Sequence, residues 1–159
     1  MSFLIRDANL TDMGDLQGVF ERASLSNEND RELLQERPEW LILDHKAIID
    51  GRRRVAVDDD DDDDDDESTV GFITYLIAGG IAELEDLFVD PPSMRKGIAS
   101  SLVRDISARL NDLGFPTLEV TAYPHARAFY EHLGFVEDRV VDTPGYRAPR
   151  MSRPTCPPG

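Results

Sequence analysis

At 159 residues, 31% charged and 40% apolar, the chain has the size of one domain and enough apolar content to close a core without a metal or a disulfide. Its formal net charge of −15 would repel nucleic-acid phosphates, which sets nucleic acid aside as a partner. No apolar run approaches membrane length, nothing at the start reads as a secretion signal, and the one cysteine, Cys156, excludes an internal disulfide, so a soluble protein of the reducing cytoplasm, with no membrane partner, is expected.

Phe3 to Ile5 reads as a short first strand, and Thr11 as the N-cap of a helix whose Met13, Leu16, Val19 and Phe20 share one stripe. Ser26 to Asp30 is a polar break. Arg31 to Glu36 reads as a second helix ended by Pro38, which disfavours the α conformation in the residue before it. Trp40 to Ile49 is apolar without a clear period and fits a helix or an extended segment; Asp50-Gly51 is a turn signal. Arg54 to Val57 and Val70 to Ile77 read as two strands joined by an acidic hairpin loop, 58–67. Nine aspartates in a row, Asp58 to Asp66, then Glu67, offer nothing apolar to bury, which predicts a solvated hairpin tip. Gly79-Gly80 turns the chain into a strand from Ile81 to Val89.

A proline-marked turn, Asp90-Pro91-Pro92, leads from that strand to Gly97, and Ile98, Leu102, Val103, Ile106, Leu110 and Leu113 then recur at helical spacing up to a Gly114 cap. The first amides of a helix lack intrahelical partners and carry partial positive charge, so the loop Met94 to Ser100 is laid out to wrap a pyrophosphate. Thr117 to Ala122 alternates as a half-buried strand. Pro124 opens a short helix carrying Ala126, Phe129, Tyr130 and Leu133, closed by Gly134, with Phe129 and Phe135 expected in the core. Val136 to Val141 and Ala148 to Arg153 suit a closing antiparallel pair around Pro144-Gly145, before a Pro-rich tail, 154–159.

Two of these stretches resemble the motifs of the GCN5-related N-acetyltransferases, the GNAT family. The acyl-carrier motif falls on Met94 to Ala99, with Met94 where the family usually has Arg or Gln, and the second motif falls on Phe129-Tyr130-Glu131-His132-Leu133-Gly134-Phe135. Ile5-Arg6-Asp7-Ala8 with Thr11-Asp12 is similar to a common family opening, the Ala-Pro-Arg-Met strand at 148–151 is in keeping with the rest, and Tyr123 stands where many members have Asn. The resemblance covers nearly the whole chain. It implies a single N-acetyltransferase domain of α/β (α+β) class, with a central mixed, mostly antiparallel sheet flanked by helices, and acetyl-CoA as acyl donor. It also implies that the strand ending at Val89 splays from its parallel neighbour at 117–122, the pantetheine arm entering the gap as a pseudo-strand. Cofactor contacts would come from Leu87, Phe88 and Val89 and from Met94, Arg95, Lys96, Gly97, Ile98, Ala99 and Ser100.

Acetyl transfer to an amine needs a base, because an amine of pKa about 10 is mostly protonated at neutral pH. It also needs a donor for the oxyanion and an acid for a thiolate whose parent thiol has a pKa of about 8.5. Glu83 and Glu85 lie two apart on one strand and face the same side, Asp86 the other. By position Glu83 resembles the family's general base and ranks ahead of Glu85; the other reading makes both rim carboxylates that pair with arginines. Main-chain amides of Leu87 to Val89 would meet the oxyanion. Tyr130 occupies the tyrosine position of the second motif and would reprotonate the thiolate, or else is a core aromatic with its hydroxyl at the surface. His45, His125 and His132 show no metal-ligand spacing, and no metal is expected.

The leading expectation is transfer of an acetyl group from acetyl-CoA to a primary amine of a small molecule or peptide by direct attack in a ternary complex. The resemblance implies that acceptor contacts come from about 21–45 and 137–148; Glu28, Asp30, Glu32, Glu36 and Glu39 make the first of these stretches acidic, which favours a cationic acceptor or is a solvated face. The alternative is an acyl-CoA-binding regulatory domain whose aspartate run holds a basic partner. A homodimer is common for such small domains.

Overall fold

The computed structural model describes residues 3–26, 28–37, 39, 42–58 and 68–156. In chain order these form β1 (Phe3–Asp7), a 3-10 turn (Leu10–Asp12), α1 (Met13–Ser26), α2 (Glu28–Glu36), α3 (Lys46–Ile49), β2 (Arg53–Asp58), β3 (Ser68–Ala78) and β4 (Ile81–Val89). A second 3-10 turn (Pro91–Ser93), α4 (Ile98–Asp112), β5 (Thr117–Thr121), a third 3-10 turn (Pro124–Ala126), α5 (Arg127–His132), β6 (Val136–Thr143) and β7 (Tyr146–Pro154) follow. The strands make one sheet in the order β1-β2-β3-β4-β5-β7-β6. β1 with β2, β2 with β3, β5 with β7 and β6 with β7 are antiparallel, and β4 with β5 is parallel, so the fold is the mixed, mostly antiparallel α/β arrangement expected.

The chain divides into two compact units, Met1–Thr74 with Asp86–Leu102, and Tyr75–Glu85 with Val103–Gly159. In the first, the stripe on α1 delivers Leu16 and Val19, both fully buried, to a core with Leu43, Ile48, Val55, Val57 and Phe72, and Met13 and Phe20 pack at its margin. In the second, the inward positions of β5, Leu118 and Val120, are buried, as are Val103, Ile106 and Leu110 of α4 and Ala148 and Met151 of β7.

The stops of α4 and α5 follow from glycine. Gly114 (φ +94°) donates to Asn111 C=O and Phe115 to Leu110 C=O, and Gly134 (φ +91°) repeats the pattern with Glu131 and Phe135 with Tyr130. This paired bonding satisfies the last carbonyls and demands the left-handed conformation that glycine tolerates.

Several expectations are corrected. Asn9, not Thr11, is the cap, at the 3-10 turn that leads into α1: its side chain accepts from Thr11 N–H while Asp12 accepts from Asn9 N–H, a capping box two residues earlier. Of the polar break at Ser26 to Asp30, Ser26 closes α1 and Glu28 already opens α2. Leu113 lies past the end of α4 and is 59% exposed, and Phe129 is 42% exposed whereas Phe135 is buried. Within the ambiguous stretch Lys46–Ile49 is helical, while Trp40 lies outside the described residues, as do Pro38, Asp59 to Glu67 and the end of the tail.

Candidate active site

In the first unit, β4 ends in Leu87, Phe88 and Val89. Phe88 meets Phe20 edge-on at 5.0 Å and Phe72 at 5.6 Å, so its ring serves packing and its backbone is what remains for chemistry. Gly71 on β3 permits this: a Cβ there would stand 3.0 Å from the Phe88 carbonyl oxygen and 3.2 Å from Ile98 Cγ2. Asp90 holds the following turn. Its N–H donates to Val70 C=O at 2.8 Å, its C=O accepts from Ser93 N–H at 2.8 Å, and its carboxylate takes Arg22 Nε and Nη2 at 2.9 and 3.0 Å, raising the Arg22 guanidinium's pKa. The chain then passes through Arg95 (φ +65°) and Gly97 (φ +81°) into α4. A Cβ on Gly97 would meet nothing within 4 Å, so the space before the helix is open.

The first hydrogen bond of this turn runs from Ser101 N–H to Gly97 C=O, which leaves the amides of Ile98, Ala99 and Ser100 ahead of the helical ladder. Met94, Arg95 and Lys96 are exposed beside them. A left-handed glycine, three helix-start amides and two exposed cations form a donor set that suits a pyrophosphate.

In the second unit, the parallel register of β4 and β5 runs over Ala82 with Leu118 and Glu83 with Glu119, and both strands continue beyond it. Burial alternates there, with Ala82 and Leu84 buried and Glu83 and Glu85 on the more open side. Glu83 Oε1 is bound by Arg150 Nη1. Arg150 comes from β7 and is buried; its Nη1 also reaches Thr121 Oγ1 at 2.7 Å, and its Nε reaches Glu119 at 3.3 Å. Asp86, in the first unit, faces Arg53 at 3.4 Å, a guanidinium buried on β2 that also bonds Thr74 Oγ1 at 2.8 Å.

Tyr130 sits on α5, half-buried, its ring edge-on to Phe129 at 5.2 Å and to Phe135 at 5.5 Å. Tyr123 is 54% exposed and stacks on His125 at 5.6 Å and on Tyr146 of the last hairpin at 5.5 Å. Glu83, Glu85 and Tyr130 thus lie in the second unit and the candidate cofactor residues Leu87 to Ser100 in the first. Sequence reading allowed Glu83 an arginine partner without naming Arg150 as that partner, and it passed over Arg22 and Arg53. An arginine at an inward-facing strand position was the available signal for Arg150, but its partners depend on a register that pairs Thr121 with Arg150. Among the described residues, no group of His, Cys, Asp or Glu could hold a metal, and no helix is long and apolar enough to cross a membrane.

No match among curated proteins is found at the sequence level. Solved structures share the fold: PaiA N-acetyltransferase from Thermoplasma acidophilum, in complex with coenzyme A, has a TM-score of 0.71 at 20% identity over 97% of this chain and 99% of its own. The ribosomal-protein-S18-alanine N-acetyltransferase of Escherichia coli gives 0.66 at 19% over 99% and 97%. N-acetylglutamate synthase from Neisseria gonorrhoeae, complexed with coenzyme A and N-acetyl-glutamate, gives 0.67 at 15% over 98% of this chain and 36% of its own. The family model described as acetyltransferase (GNAT) domain matches residues 63–147, more than half of the chain, and with the left-handed glycine at the start of α4 and the motif on α5 in place, the chain belongs to the GNAT acetyltransferase family.

Proposed function

We propose that this protein is an N-acetyltransferase that moves an acetyl group from acetyl-CoA to a primary amine by direct attack in a ternary complex. The observation that carries this reading is the start of α4, where the amides of Ile98 to Ser100, Gly97 in its left-handed conformation and the exposed Arg95 and Lys96 match the pyrophosphate of an acyl-CoA. Acetyl-CoA would supply the activated thioester. Glu83 would take the proton from the attacking amine through Oε2, the oxygen that Arg150 leaves unengaged, with Glu85 as the other candidate. An amide of Leu87 to Val89 would stabilise the developing oxyanion, and the Tyr130 hydroxyl would return a proton to the departing thiolate. Exposed Glu32, Glu36 and Glu39 favour a cationic acceptor; the side chains of Glu28 and Asp30 lie outside the described residues. A single thiol suits a reducing, cytoplasmic setting.

The test is release of coenzyme A from acetyl-CoA over a panel of n-butylamine, 1,4-diaminobutane, and peptides bearing an N-terminal alanine or an internal lysine. At least one amine should give saturable turnover that falls by about 10²-fold in Tyr130→Phe, the scale of a lost general acid, with acetyl-CoA affinity retained. Binding of acetyl-CoA without turnover on any amine would reduce the protein to an acyl-CoA-binding module.

A further inference from the structure

Arg150 has no part in the chemistry above, yet its side chain is only 10% exposed. Burying a guanidinium is costly unless its donors are paired. Here they are spread over two other strands: Nη1 meets Glu83 on β4 and Thr121 on β5, and Nε meets Glu119 on β5. Glu83 and Glu119 are directly paired in the β4–β5 register, an arrangement in which like charges repel unless something lies between them. Arg150 is that group.

We propose that Arg150 is the positioning residue for Glu83, an inference that rests on Glu83 being the proton acceptor. The guanidinium is planar, so fixing Nε on Glu119 and Nη1 on Thr121 fixes the direction in which Nη1 meets Glu83. With Oε1 held, the carboxylate loses its freedom to change rotamer, and Oε2 becomes the oxygen presented for proton transfer. A free glutamate would have to give up that freedom in each turnover, and proton transfer tolerates only small errors of placement. Lysine keeps the charge but is a point donor and cannot hold all three groups in one plane.

The test uses the full chain, saturating acetyl-CoA and the fastest amine of the panel, with Glu83→Gln, Arg150→Lys and the double variant. Expected are losses in kcat of about 10²-fold for Glu83→Gln and about tenfold for Arg150→Lys, with the double variant no slower than Glu83→Gln alone. The thermal shift given by acetyl-CoA and its KM should be the same in all four proteins. If the double variant loses the product, about 10³-fold, Arg150 acts apart from Glu83 and the proposal falls while the base assignment stands. If Glu83→Gln turns over at the unmutated rate, the base assignment itself fails and takes the proposal with it. Should Arg150→Lys not fold, Thr121→Val at an exposed strand end removes only the hydroxyl on Nη1. A fall in kcat of about threefold that vanishes in the Glu83→Gln background supports the proposal, and no fall, or one that persists there, overturns it.

Discussion

Asp12 accepts three hydrogen bonds at the entry to α1, from Arg6 Nη1 and Nη2 at 2.8 and 2.9 Å and from Asn9 N–H at 2.9 Å. The Arg6 guanidinium is the main reason that the pKa of its carboxyl lies below the ordinary 3.8, against the opposing effect of burial. A carboxyl whose pKa is lower in the folded state adds stability above its unfolded value, and that stability is lost as pH falls through the folded one. Asp12→Asn should therefore cost about 2 kcal/mol at pH 7, the scale of charge-assisted bonds to a nearly buried group, seen as a drop of about 4–8 °C in Tm. The two proteins should converge on acidification below pH 3.8. A difference in Tm that stays constant from pH 7 to 2.5 would show that the bonds, not the charge, matter. The capping residues were visible in the sequence, but Asn9 and Thr11 are both good caps, and only the Asp12 side chain's return to Asn9 N–H decides between them. Phe129 and Tyr130 are sequence neighbours about 100° apart on a helix of six residues, too short for periodicity to say which one turns inward.

At the scale of elements, glycine did most to make the fold legible. Gly79-Gly80, Gly114, Gly134 and Gly145 all have positive φ, and each stands where a turn or helix stop was expected. The early start of α2 was hidden, because Asn, Glu and Asp at a helix start read like a loop when the apolar face is sparse. Gly18 offers a test of what holds α1 to the Asp90 turn. A Cβ there would stand 2.9 Å from Arg22 Nη1, so Gly18→Ala pushes the Arg22 guanidinium off its contact with Asp90. Arg22 is 55% exposed, and such a pair is worth about 0–1 kcal/mol, while alanine for glycine inside a helix gains about 1 kcal/mol. Gly18→Ala should leave Tm unchanged or raise it by about 2–4 °C. A fall of that size would mean that the Arg22–Asp90 contact holds more of the fold than an exposed pair can.

For the whole molecule, charge and fold point in different directions. A net charge of −15 repels an anionic donor at long range, but at physiological ionic strength the Debye length is about 8 Å, so the local cations and helix-start amides decide. The two motifs and the succession of strands along the chain could be read in the sequence because glycines, prolines and alternation mark them locally. The Glu83–Arg150–Glu119–Thr121 cluster could not, because it joins residues 83, 119, 121 and 150 through strand register. Pairing of Asp58 with both Phe3 and Ser68 marks where the strands stop, and the rest of the aspartate run lies beyond the described residues. The central claim, that the start of α4 holds acetyl-CoA, is tested most directly by thermal melting with and without it. At 100 times its dissociation constant, acetyl-CoA should stabilise the protein by about 2.7 kcal/mol, a rise of about 5–10 °C. Gly97→Glu, which puts a side chain and a negative charge into the open space before the helix, should melt cooperatively and show no rise. An unmutated protein that melts at the same temperature with millimolar acetyl-CoA as without it would contradict the account.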